Sequence, residues 1–419
     1  MRSVKHLVIG AGVHGLSTAW HLADAGEEVL VVDQTGVAAG ASGIACGVVR
    51  NNYFQPAMQD LMAACVEIWE SDAETFAYHG SGYIVVGDGD QEADLSAVYE
   101  RQQRIGYESE LILGEPEVAA HMRSLFPDWR APGLTVCLHE SQGGFAFNKD
   151  SMYGLAAKAR AAGAEIEDGV RVTGFDFDES GAVTSVQTSA GPIGVDDVTV
   201  AVGPWAARFW ELLGLPRRLE VDGVEREMWT YWYLQEGEIQ VDPRIFVTAD
   251  GSLPPVLHVD SHAPLRDDSG RLITDGQWGV YFKQDKHSVQ GGAEPLPRGH
   301  EFEIDPYPTG TVEPGFPDMW CAALSHCMER FRGSRPRYRD TRSGGVGAFT
   351  ADNFPVFDHM RPNVFVAADS NHGYKMIAVG REIARVLTGE HSSLLHPFRY
   401  ERFATGDLHP VSHSPYPWS

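Results

Sequence analysis

At 419 residues, 43% apolar and 22% charged, the chain has an ordinary globular composition and is long enough for two domains. Its formal charge of −25 argues against nucleic acid or an anionic membrane as a partner. No apolar run reaches the ~20 residues of a membrane span, and five cysteines without CxxC or metal-ligand spacing point to a reduced, cytoplasmic protein with no metal site.

Residues 4–9 form a short apolar strand ending at Gly10, and residues 13–25 repeat Leu16, Ala19, Trp20 and Ala23 at helical spacing. Gly26 stands where a helix C-cap belongs, and residues 28–33 make a second buried strand ending in Asp33. A small-residue loop follows over 36–47, then a long helix over 56–70. Residues 80–145 mix short strands with a polar helix over 93–105, residues 149–162 are helical, and residues 163–172 and 198–202 are strands. Alternating strands between Pro/Gly/Asp loops over 213–336 predict an antiparallel sheet. A strand over 364–368 and a helix over 377–387 return to the texture of the first residues. The Pro-, Ser- and His-rich residues 409–419 predict a loosely attached tail.

Gly10-Ala11-Gly12-Val13-His14-Gly15 fits GxGxxG between two apolar strands, with Asp33 at 23 positions from Gly10. Gly10 makes the tight turn, Gly12 lets backbone approach a pyrophosphate, and Gly15 lets helix and strand pack closely. The helix start offers N–H groups and a positive dipole end to phosphates, and Asp33 would accept bonds from ribose hydroxyls. His14 reads as a solvent-facing spacer inside a cofactor-binding turn. Spacing of this kind does not separate NAD from FAD.

Further motifs separate them by resemblance. Ala39-Gly40-Ala41-Ser42-Gly43, Val48-Val49-Arg50-Asn51-Asn52-Tyr53 and Gly143-Gly144-Phe145 with Asn148 resemble the D-amino-acid oxidase superfamily of flavoproteins. The strand before Gly203-Pro204-Trp205, the segment Thr350-Ala351-Asp352-Asn353-Phe354-Pro355-Val356 and the turn Asn371-His372-Gly373-Tyr374-Lys375-Met376 resemble it in the same order, nearest its sarcosine oxidase and glycine oxidase branch. The resemblance implies an α/β fold: a Rossmann-type FAD-binding domain (1–80, 145–212, 337–400) and an α+β substrate domain on a mainly antiparallel sheet (81–144, 213–336), with a tail over 401–419.

For the cofactor, it implies FAD contacts at Gly10, Gly12, Val13, His14, Gly15, Asp33, Gln34, Ser42, Gly43, Val172 (or Val170), Gly203, Trp205, Gly345, Gly347, Asn371, His372, Gly373, Tyr374 and Lys375. Arg50 and Lys375 match the positions that clamp a substrate carboxylate, with Tyr53 and Tyr231 beside the substrate and His372 near the flavin as a catalytic group. The tethering cysteine of monomeric sarcosine oxidases would fall near Gly345, where no thiol stands, so FAD is expected to bind non-covalently. Lys283 and Lys286 are candidates for an oxygen-activating lysine, whereas His139, His258, His262 and His287 read as structural or surface residues. The implied activity is oxidation of a C–N bond in a small amino acid, an N-substituted glycine or other secondary amine, with oxygen or an electron carrier as acceptor. A flavin-dependent 2-hydroxy acid or polyol dehydrogenase, an NAD dehydrogenase and a non-catalytic flavin-binding subunit are the alternatives.

Overall fold

The computed structural model describes all residues except Met1, Asp222, 294–295, 301–303, 306, 308–311, 340–343, 370–371 and 415–419, and the side chains of 296–298. The first strand, β1 (Arg2–Ile9), leads into helix α1 (Val13–Asp24) and strand β2 (Val29–Asp33), which pairs parallel to β1. Both faces of this sheet are covered, so the end of β1 over residues 7–9 and most of β2 are continuous apolar runs rather than alternating ones. Val8, Val29 and Val31 enter one core and Leu7, Ile9, Leu30 and Val32 the other, as the two-residue period requires. On the first face, Leu16, Ala19 and Leu22 of α1 pack among side chains of the helices Asn148–Ala162 and Ala378–Leu387.

The sheet has eight strands. Beyond β1 the strand Ile193–Val200 runs parallel to it and to Val364–Ala368, which pairs antiparallel with Val356–Arg361. The continuous strand predicted over 163–172 is two strands. Glu165–Asp168 lies beside β2, the chain turns at Gly169 (φ +78°), and Val172–Phe177 pairs with Val183–Thr188 instead.

A second eight-stranded sheet gathers Tyr83–Gly87, Ser109–Leu113, Val136–Glu140, Glu236–Ile239, Val256–Ser261, Trp278–Gln284, Val289–Ala293 and Tyr338–Arg339. Its pairs are antiparallel except that Tyr83–Gly87 and Val256–Ser261 run parallel. The strand Tyr338–Arg339 carries this sheet past residue 336, and the chain rejoins the first sheet only at Val356.

Within the tail over 401–419, Arg402, Phe403 and His409 are packed against the rest of the chain, whereas Val411, inside the stretch expected to be loosely attached, is 82% exposed. Arg402 is buried in a two-pronged ion pair with Asp352 (Nε to Oδ2 and Nη2 to Oδ1, both 2.8 Å). Phe403 joins one core, and the His409 ring packs 5.1 Å from Phe354 and 4.9 Å from Phe398. No described helix is long and apolar enough to cross a membrane.

Candidate active site

The turn from β1 into α1 is shaped by close backbone approach. A Cβ on Gly10 (φ +108°) would lie 2.3 Å from the Ala201 carbonyl oxygen, and one on Gly15 would lie 1.9 Å from the Gly10 oxygen. Gly12 differs, because a Cβ there would meet only Ser42, at 3.1 Å from Oγ. Its bare backbone faces a cavity of about 800 Å³, with Val13 and the start of α1 beside it. The Val13 N–H donates to Ser42 Oγ at 3.2 Å. Asp33 accepts from the Ala11 N–H at 2.9 Å and from the Thr35 and Gly36 N–H groups at 2.8 Å each. Oδ1 takes the last two and Oδ2 only the first, which leaves Oδ2 a lone pair for a ribose hydroxyl. A glycine-bared turn, a helix N-terminus and an acid at the next strand end, all on one cavity, fit a dinucleotide.

Most residues expected around the cofactor line this cavity: Gly10, Gly12, Val13 and His14, then Asp33, Gln34 and Ser42, then Val170, Val172, Gly203 and Trp205. Gly345, Gly373, Tyr374 and Lys375 line it as well, with Gly373 beside His14. Gly15 and Gly43 serve packing instead, a Cβ on Gly43 falling 1.8 Å from the Ala38 oxygen. Gly347 sits within a strand, paired with Trp232 and away from the lining. Asn371 lies outside the described residues.

Three placements correct the expectations. His14 is buried rather than solvent-facing, its Nε2 3.6 Å from Asp369 Oδ2. His372 stands behind the cavity wall, stacked on Phe354 (centroids 5.4 Å apart) with Nδ1 3.6 Å from Asp369 Oδ1. Burial lowers its pKa against the pull of Asp369, so the structure offers it as a neutral support rather than a catalytic group. Tyr231 is buried in a core, its hydroxyl donating to the Pro204 carbonyl at 3.2 Å, and does not reach the cavity. Neither lysine considered for oxygen activation lines the cavity either. Lys283 is buried over the Phe145 ring at 4.7 Å, and Lys286 pairs with Asp150 at the surface.

Arg50 and Lys375 do come together. Both line the cavity and meet at Tyr53, which is buried and, against expectation, is not itself part of the lining: the Arg50 guanidinium lies 4.6 Å from the ring centroid, and Lys375 Nζ donates to the hydroxyl at 3.0 Å. Trp69 Nε1–H holds the Lys375 carbonyl at 2.9 Å. Burial opposes the charge of Arg50, but Tyr83, Tyr53, Glu140 and Asp260 outweigh it and raise its pKa. Among the described residues neither cation has a carboxylate within ion-pair distance; Arg50 donates to the Asn52 carbonyl and Lys375 to the Tyr53 hydroxyl.

The same wall holds residues that spacing gave no reason to select: Tyr83, Glu236, His258 and Tyr281. Elsewhere on the lining, Trp205 Nε1 donates to Asp305 at 2.8 Å and its ring lies 5.4 Å from Tyr307, with Arg171 and Arg208 on the same carboxylate. These groups converge from strands far apart in sequence, so no local pattern marks them.

The chain resembles known proteins over nearly its whole length. A family model described as FAD dependent oxidoreductase matches residues 5–386. The human peroxisomal sarcosine oxidase is 24% identical over 420 residues, covering 95% of each chain. The glycine oxidase of Pseudomonas putida is 28% identical over 245 residues, 54% of this chain and 62% of the relative. Among solved structures, the L-proline dehydrogenase of P. horikoshii superposes with a TM-score of 0.77 at 20% identity, over 97% of this chain and 99% of that one. The glycine oxidase of Bacillus cereus gives 0.69 at 18% identity, over 94% and 97%. With the fingerprint turn, the acid and the cavity in place, the chain belongs to the FAD-dependent oxidoreductase family of D-amino-acid oxidase type, on its sarcosine oxidase- and glycine oxidase-like branch.

Proposed function

We propose that this protein oxidises the C–N bond of a small amino acid, most simply an N-substituted glycine or another secondary amine. The observation that carries the reading is the pair Arg50 and Lys375, two cations lining one cavity, joined through Tyr53 and, among the described residues, without a carboxylate in ion-pair distance of either. In a chain of charge −25, such a pair is where an anionic substrate group gains most. A planar guanidinium suits a carboxylate through two parallel N–H···O bonds, and the ammonium adds a third donor.

When bound, FAD supplies the hydride acceptor, so the chemistry at the carbon next to nitrogen belongs to the cofactor. The chain holds and orients. Gly12, Val13 and Ser42 position the phosphate end, and Gly373 and Tyr374 border the cavity where Lys375 stands. Tyr374 is fixed there by stacking on Trp69 (5.6 Å between centroids) and by a 2.6 Å hydrogen bond with Ser151. A substrate clamped by its carboxylate loses rotational freedom before reaction, which is the main contribution such a site makes. The cations also favour the neutral form of the amine that must react. Water then hydrolyses the imine product to a carbonyl compound and a smaller amine.

Replacing both Arg50 and Lys375 by Met removes two charge-assisted contacts, each worth about 1.5–3 kcal/mol. The KM for N-methylglycine or L-proline is expected to rise about 100-fold or more, while FAD content per chain stays at the wild-type level. An unchanged KM would remove the clamp.

A further inference from the structure

Tyr83, His258 and Asp260 form a hydrogen-bonded chain that ends on the cavity. Tyr83 and His258 lie on parallel neighbouring strands, His258 opposite Val85. The Tyr83 hydroxyl is 2.7 Å from His258 Nδ1, and His258 Nε2 is 3.0 Å from Asp260 Oδ1. Asp260 Oδ2 is held in turn by Gln91 Nε2–H at 2.7 Å. An ionised carboxylate only accepts, so Nε2 carries the imidazole proton, Nδ1 is the acceptor, and the tyrosine hydroxyl donates to it. Burial, with Arg50 opposing it, pushes the Tyr83 hydroxyl pKa up, and His258 with Gln91 holds Asp260 below its ordinary value against burial. The phenol is therefore neutral and the carboxylate charged, the order of a hydroxyl–imidazole–carboxylate relay.

Its position gives it a task. Tyr83 and His258 line the cavity with Arg50, whose guanidinium lies 5.3 Å from the Tyr83 ring centroid. In an amino acid the nitrogen is two bonds from the carboxyl carbon, so a substrate clamped at Arg50 presents its ammonium to this wall. Resting on the amine-oxidation reading above, we propose that Tyr83, His258 and Asp260 are the proton acceptor that neutralises the substrate ammonium. One N–H bond of the ammonium breaks and its proton joins the Tyr83 oxygen, while the Tyr83 hydroxyl proton passes to His258 Nδ1. The lone pair stays on the substrate nitrogen. One cation, the ammonium, is replaced by another, the imidazolium held against Asp260, and no electron is transferred. The His258 side chain is 18% exposed, which gives the proton a route to solvent.

The groups facing the relay are Arg50 and Tyr53 beside Tyr83, Glu140 opposite it on the paired strand, Tyr281 opposite His258, and the His262–Asp88 pair beyond Asp260. Glu140 is the competing titration, since burial pushes its carboxyl up to about 7.

The test is anaerobic stopped-flow reduction of the FAD-loaded protein by N-methylglycine and by L-proline, from about pH 6 to about pH 10. Tyr83→Phe and His258→Gln are expected to slow reduction about 100-fold near pH 7, with the apparent Kd of each probe altered less than about 3-fold. The deficit should shrink as pH approaches the pKa of the probe amine. Glu140→Gln should keep the acid limb. A second readout needs no turnover: histidine-selective 15N NMR should show His258 as the Nε2–H tautomer, a preference lost in Asp260→Asn. A pH-independent drop in the Tyr83 and His258 variants, loss of the acid limb in Glu140→Gln, or a tautomer mixture at His258 would each overturn the relay. If neither probe reduces the wild-type protein, the amine-oxidation reading fails first and the relay falls with it.

Discussion

Gly12 and Gly15 stand three residues apart in one turn yet make opposite predictions. A Cβ at Gly15 collides with backbone at 1.9 Å, so Gly15→Ala is expected to give little folded protein. A Cβ at Gly12 meets only a serine side chain and otherwise projects into the cavity. Gly12→Ala should therefore melt as the wild-type apoprotein does, while FAD affinity falls about 100-fold, or about 2.7 kcal/mol. Thermal melts of the apoproteins with FAD fluorescence titration check both, and equal affinity in Gly12→Ala would contradict the placement of the pyrophosphate. These glycines were legible in the sequence because their task is local, set by spacing within one turn. Tyr83 and His258 were not, because 175 positions separate them and only a parallel strand pairing brings them together. His372 misled for a related reason: its neighbour Gly373 lines the cavity, but its own ring turns back against Phe354.

Among elements, α1, the helix Asn148–Ala162 and the helix Ala378–Leu387 follow from helical periodicity, and the strand Val364–Ala368 from its unbroken apolar run. The strand break at Gly169 is not legible because the side chains of Glu165–Asp168 carry little strand preference of their own, and only tertiary pairing decides which neighbour each half takes. Polar composition just before the stretch 409–419 gives no sign of the buried ion pair made by Arg402. Arg402 and Asp352 are 3% and 4% exposed, so removing one partner strands the other charge in the core. Arg402→Ala is expected to cost about 3–5 kcal/mol in urea unfolding. A loss under about 1 kcal/mol would mean that the segment is dispensable.

For the whole molecule, interleaved stretches of chain line one cavity that carries the fingerprint turn together with Arg50 and Lys375. Arg50, Arg171, Arg208 and Lys375 all line it, so this acidic chain gathers cations on the cavity. The most direct measurement is the anaerobic visible spectrum of the purified protein during titration with N-methylglycine, L-proline and 2-hydroxy acids. A yellow protein whose flavin absorbance bleaches with the amino acids and not with the hydroxy acids is the predicted result. A protein that takes up no FAD, or whose flavin only dithionite reduces, would contradict it.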